Sequence, residues 1–119
     1  MKSGRKVTGG KYKKPKKKKA TGRANQTRTV NLEKRKTKVL KCRGNMEKLV
    51  AFSDNQINLI VKGKAKKAEI KTVIETPSNT FLARQNVLVK GAIVETEIGK
   101  AKITNRPSQE GYVQGILVE

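Results

Sequence analysis

The fold class this sequence predicts is mainly β. It is a small closed or nearly closed β-barrel of short antiparallel strands, with a long basic N-terminal extension that is disordered when free. Three observations carry that expectation. From about Thr37 onward, short runs rich in Val, Ile and Leu alternate with polar residues. Turn clusters of Gly, Pro, Asn, Asp and Ser interrupt these runs at short intervals, which leaves little length for a helix. Charge is also uneven: residues 1–48 hold 19 Lys and Arg against 2 acids, whereas residues 49–119 hold 10 against 7. The chain therefore divides into a basic N-terminal extension, residues 1–36, and a β-barrel domain, residues 37–119.

The extension comes first. Its initial 29 residues carry 12 basic groups and no acid, and their only large apolar side chains are Met1, Val7 and Tyr12. Such a segment buries too little surface to offset the entropy of ordering it. After it, Lys38–Arg43 and Met46–Phe52 flank Gly44-Asn45 and read as a hairpin. Ser53-Asp54-Asn55 turns the chain into a strand in which Ile57, Leu59 and Val61 alternate.

Lys62–Lys67 reads as a basic connection, and two helical turns over Lys64–Lys71 are a weak alternative with few apolar positions. Beyond it Ala68, Ile70 and Ile74 share one face, opposite Glu69, Lys71 and Glu75. Pro77-Ser78-Asn79 turns into a short strand at Thr80–Arg84, and Val87–Lys90 and Ala92–Ile98 follow. In Lys100–Thr104 the residues Ala101 and Ile103 face inward. Arg106-Pro107-Ser108 is a turn, and Tyr112–Val118 is the last strand. Seven or eight short strands suit a barrel, since closure removes exposed edges. Its core is Val, Ile and Leu, with Phe52, Phe81 and Tyr112 as the available aromatics. The core is thin, so stability is modest until a partner binds.

Composition excludes several function classes. The chain has no His and one Cys, Cys42, so neither an internal disulfide nor a zinc set is available. Cys42 reads as a half-buried small hydrophobe in a reducing, intracellular setting. Glu95 and Glu97 share a strand face and read as a solvated surface, not an acid-base pair. Gly63-Lys64 and Gly99-Lys100 lack the upstream glycine and the Ser or Thr of a phosphate-binding loop. The expectation is a non-enzyme without cofactor, metal or small-molecule substrate. No run approaches the roughly 20 apolar residues of a membrane span, and no hydrophobic stretch follows the basic start, so it is not a secretory signal.

A formal charge of +20 implies a polyanionic partner. Lysines spaced one or two residues apart in a flexible chain can each approach a phosphate, with counterion release and steep salt dependence. Arginines add bidentate contacts and stacking that Lys cannot make. Four aromatics in 119 residues argue against a base-stacking platform, and no recognition-helix or zinc-finger motif points to the major groove. Recognition of backbone and shape in folded RNA remains. The alternative is a polybasic module for other polyanions or anionic membrane surfaces. It lacks an amphipathic helix, a lipidation motif and interleaved large hydrophobes.

Several blocks carry a family likeness. RKVTGGKYK (residues 5–13), Thr21-Gly22-Arg23, Arg43-Gly44-Asn45 with MEKLVAF, and Leu82–Val94 occur in order along nearly the whole chain. Together they resemble the archaeal and eukaryotic-type small-subunit ribosomal protein eight family, and the short length resembles its archaeal members. That resemblance implies a β-barrel constituent of the small ribosomal subunit, cytoplasmic and within the ribosome. Its partners would be small-subunit rRNA and neighbouring ribosomal proteins, with no membrane, and the chain would be a monomer when free.

Arg5, Lys6, Lys11, Lys13, Lys14, Lys16, Lys17, Lys18, Lys19, Arg23 and Arg28 are then expected to meet phosphates. Thr8 would donate a hydrogen bond, while Gly9 and Gly10 would let the backbone lie against RNA. Arg43 and Asn45 in the hairpin loop, and Lys64, Lys66 and Lys67 in the basic connection, form a second rank. The loop departs from the family pattern, with one Gly where many members have two. Gly91 reads as a bend between strands.

Overall fold

Alternation is what builds the body. Ile57 and Leu59 are buried on one side of their strand while Gln56 and Ile60 face water, and the same period recurs around the fold. A computed structural model describes residues 4–13, 15–17, 19–22 and 28–118. The strands are β1 (Lys36–Lys41), β2 (Glu47–Ser53), β3 (Gln56–Val61), β4 (Lys64–Glu75), β5 (Ile93–Thr96), β6 (Lys100–Ile103) and β7 (Gln114–Leu117). Two short helices, α1 (Thr80–Arg84) and α2 (Pro107–Glu110), lie in the connections, and Ala20–Gly22 forms one 3-10 turn.

The closed barrel uses β3 to β7 in sequence order. Each consecutive pair is antiparallel, so with five strands the first and last run the same way, and β3 closes onto β7 in parallel. So narrow a barrel takes few large side chains. Ile57, Leu59, Ile70, Val94 and Ile103 fill it, interleaved with Ala68 and Ala101. Gly115, on the closing strand, faces inward. A Cβ there would stand 2.8 Å from Ile57 Cδ1 and 2.8 Å from the Lys102 carbonyl oxygen. Glycine is what lets β7 approach both neighbours.

The mainly β barrel agrees with the sequence expectation, but several elements differ. Lys64–Lys67 is not a connection: Lys62 (φ 48) and Gly63 (φ 77) alone make a two-residue turn, and the lysines begin β4. Irregularities between Ile70 and Thr72 and between Val73 and Glu75 re-aim β4. Val73 therefore points inward and Ile74 is exposed, the reverse of strict alternation. Thr80–Arg84 is helical, because the Asn79 side chain accepts from the Phe81 amide (3.1 Å) and caps the turn.

Val87 and Leu88 are both buried, which a half-buried strand does not allow. An isolated bridge from Val87 to Asn31 and the bond from the Leu88 amide to Val30 take the place of a continuous strand ladder. Arg106-Pro107-Ser108, expected as a turn, opens α2 instead, with Arg106 as its N-cap and Pro107 as its first residue. The aromatics stay out of the core, with Phe81 68% exposed. Cys42 is exposed, because β1 ends at Lys41 and the thiol stands in the loop.

β1 and β2 form a separate antiparallel ribbon. The ribbon lies against α2, where Leu49 packs on Gly111, Lys48 Nζ donates to Gln109 Oε1, and Arg35 donates to the Gly111 carbonyl (3.4 Å). A strap at residues 30–32 joins the ribbon to the barrel. The Leu88 amide donates to the Val30 carbonyl (2.8 Å), Asn31 donates to Phe52 (3.1 Å), and Asp54 donates to Asn31 (3.1 Å). Val30 is only 1% exposed and belongs to the core.

Candidate nucleic-acid interface

The basic arm begins with a small hairpin. Arg5 bridges to Lys11, the Lys6 amide donates to the Gly10 carbonyl (2.8 Å), and the Gly9 amide donates back to the Lys6 carbonyl (2.9 Å). Three residues, Val7-Thr8-Gly9, make the loop, and its last position has φ +80. A three-residue hairpin loop of this kind ends in the left-handed region, where glycine adds no steric penalty. The two glycines of Thr8-Gly9-Gly10 are therefore not equivalent. A Cβ on Gly10 would meet only Thr8 Oγ1, at 3.7 Å. The Arg5 guanidinium donates to the Gly9 carbonyl (3.0 Å), and Lys6 Nζ lies 5.8 Å from the centre of the Tyr12 ring.

Further along, Lys13, Lys16, Lys17 and Lys19 are exposed. The turn at Ala20–Gly22 curls the chain so that Lys16, Lys17, Lys19, Thr21 and Gly22 line an open hollow of about 380 Å³. Three ammonium groups and a hydroxyl around one hollow suit phosphate oxygens. Lys14, Lys18 and Arg23 lie outside the described residues. Arg28 differs from the arm: it is half-buried, and its Nε is buried without a hydrogen-bond partner among the described residues.

The arm projects from the body. The protein measures 71 × 36 × 24 Å with a radius of gyration of 21.3 Å, against roughly 13–14 Å for a compact chain of this length.

Two further basic groups belong to the body. Arg43 and Asn45 (φ 58) are exposed at the ribbon tip, where the Cys42 amide donates to the Met46 carbonyl (2.7 Å). Lys64, Lys66 and Lys67 are exposed on the first half of β4. The fold thus arranges the expected residues as an arm, a ribbon tip and a strand, on separate elements.

Sequence reasoning passed over Lys36, Lys38 and Lys41, which are exposed along β1 and make the whole ribbon basic. The signal was the alternation of Lys36 and Lys38 with Thr37 and Val39, which puts charge along one face of a strand, with Lys41 following on the other face. Among the described residues there is no cluster of His, Cys, Asp or Glu suited to a metal ion, and no helix long and apolar enough to cross a membrane.

Comparison with known proteins agrees with the resemblance seen in the sequence blocks. The family described as Ribosomal protein S8e matches residues 1–118. Small ribosomal subunit protein eS8 of Methanosphaera stadtmanae is 48% identical over 84 residues, which cover 69% of this chain and 67% of that protein. The protein of the same name from Haloarcula marismortui is 37% identical over 117 residues, covering 98% and 95%. That from Nanoarchaeum equitans is 44% identical over 87 residues, covering 71% and 68%. A match along almost the full sequence, from the glycine hairpin of the arm to the closing barrel strand, makes this chain a member of the Ribosomal protein S8e family.

Proposed function

We propose that this protein is a structural constituent of the small ribosomal subunit in the cytoplasm, binding its rRNA chiefly through the basic arm. One observation carries the reading: every arm residue from 4 to 13 is exposed, and the segment carries four basic groups and no acid. No acid stands within the arm to neutralise them, so an extended polyanion is the fitting partner. The hairpin gives the arm local shape, and the hollow around Lys16, Lys17 and Lys19 offers a phosphate seat. Arg43 and Asn45 at the ribbon tip, with Lys64, Lys66 and Lys67 on β4, would add body contacts. Lys14, Lys18 and Arg23 complete the arm's basic series. Phosphate contacts of this kind position a protein on folded RNA without reading sequence.

Sedimentation of subunits through a sucrose gradient at moderate salt tests the reading. The chain is expected to travel with small-subunit particles. Recovery in the free fraction alone, or on anionic vesicles instead of particles, refutes it.

A further inference from the structure

The outer wall of the barrel carries a feature that RNA binding does not use. Register across the parallel seam places Ile60 of β3 directly beside Ile116 of β7. Both point away from the core, because Leu59 and Gly115 point inward. They are 59% and 44% exposed, and Val118, two residues along the same face, is also exposed. Ala65 of β4 flanks Ile60 with a small side chain. Beside these residues lies a shallow depression of about 180 Å³, walled by Asn58, Ile60, Ala65, Thr104 and Gln114. Two isoleucines on hydrogen-bonded strands, with Val118 just beyond the end of β7, make a contiguous patch, unlike isolated surface hydrophobes.

Its rim is positive. Lys102 pairs with Ile116 on one side, Lys67 pairs with Asn58 on the other, and Lys100 lies beside Val118. Glu95, opposite Lys100, and Glu69, two residues beyond Lys67, mark where the positive border ends.

This combination selects among partners. RNA phosphates gain nothing from Ile60 and Ile116, and aliphatic groups lack the π-face that stacks on bases. A second copy of this chain would set lysine against lysine. A protein segment with an apolar centre and Asp or Glu at its edge satisfies both features.

We infer that the Ile60–Ile116 face is a docking surface for an acidic-rimmed apolar segment of a neighbouring protein. The inference rests on the ribosomal reading above, because it places that neighbour in the same particle.

Placing a photo-crosslinking residue at position 60 of the full chain, assembling it into small subunits and irradiating them tests this. The expected adduct is a protein peptide with Asp or Glu close to the linked residue. The Lys100→Glu, Lys102→Glu pair should lower its yield about tenfold through like-charge repulsion, while Lys100→Arg, Lys102→Arg retains it. An rRNA adduct, a self-adduct, Ile60-dependent binding to anionic vesicles, or particles that contain the chain without a protein adduct each overturn the inference alone. Absence of the unmodified chain from subunits overturns the ribosomal reading and this inference together.

Discussion

Val30 and Val7 are both isolated valines in a lysine-rich region, yet their surroundings are opposite. Val30 is in the core, and its carbonyl accepts from the Leu88 amide, whereas Val7 is fully exposed on the arm hairpin. Val30→Ala removes two buried methyl groups and leaves a cavity between the strap and the barrel. The transfer loss is about 1.6 kcal/mol, and incomplete collapse of the cavity raises the total to about 2 kcal/mol. For an ordered body of this size, a loss of about 2 kcal/mol lowers Tm by roughly 8–16 °C. Thermal unfolding of the free full-length chain, followed by far-ultraviolet circular dichroism, measures it. Val7→Ala is the matched control and is expected to leave Tm unchanged. A Val30→Ala shift no larger than the control refutes the strap as part of the core. The structured body would then begin after it.

The arm and the closing strand give three further tests. Gly9→Ala forces a Cβ into the left-handed region and costs about 1–2 kcal/mol of the hairpin, so affinity for an rRNA fragment is expected to fall about 5–30-fold. Gly10→Ala is expected to bind almost as the parent does, and equal losses at both positions in a filter-binding assay would refute the loop assignment. Gly115→Ala collides with Ile57 and the Lys102 carbonyl, so destabilisation of about 1–3 kcal/mol is expected in a denaturant titration. Deleting residues 1–27 removes eleven basic residues and retains the strap. Each lost phosphate contact should flatten the slope of log affinity against log salt by about 0.7–0.9, and an unchanged slope means the arm is not the main contact.

Legibility in the sequence followed the physics of each element. β3 and β6 were readable because one face is core and the other water, so Ile57, Leu59, Ala101 and Ile103 alternate cleanly. β4 was misread over its second half because irregular pairing breaks the period of two, and no residue in Ile70–Glu75 announces it. α1 was taken for a strand because five residues are too few to show a helical period. Its one local signal is Asn79 as a cap. Lone Val30 could not be recognised as core because Leu88, which bonds its carbonyl, and Phe52 and Asp54, which bond its neighbour Asn31, are distant in sequence. The arm's charge was legible from composition, while its hairpin depended on Gly9 taking φ +80.

Charge across the body gives the arm a direction. Glu69 and Glu75 on β4, Glu95 on β5 and Glu97 just beyond it are exposed, and the Glu97 amide donates to the Glu69 carbonyl (3.2 Å), which sets two of them on adjoining backbone. That wall repels phosphate, whereas the ribbon's Lys36, Lys38, Lys41 and Arg43 attract it. The strap enters between Phe52 at the end of β2 and Leu88, so the arm is rooted at the base of the basic ribbon. A rooted arm needs less than free diffusion to find its site once the ribbon touches RNA, because its lysines are then held at high effective concentration. On the reading proposed above, the ribbon would supply encounter and the arm most of the affinity, while the glutamates from Glu69 onward would turn that end of β4 and β5 away from the nucleic acid and leave Lys64, Lys66 and Lys67 free to meet it.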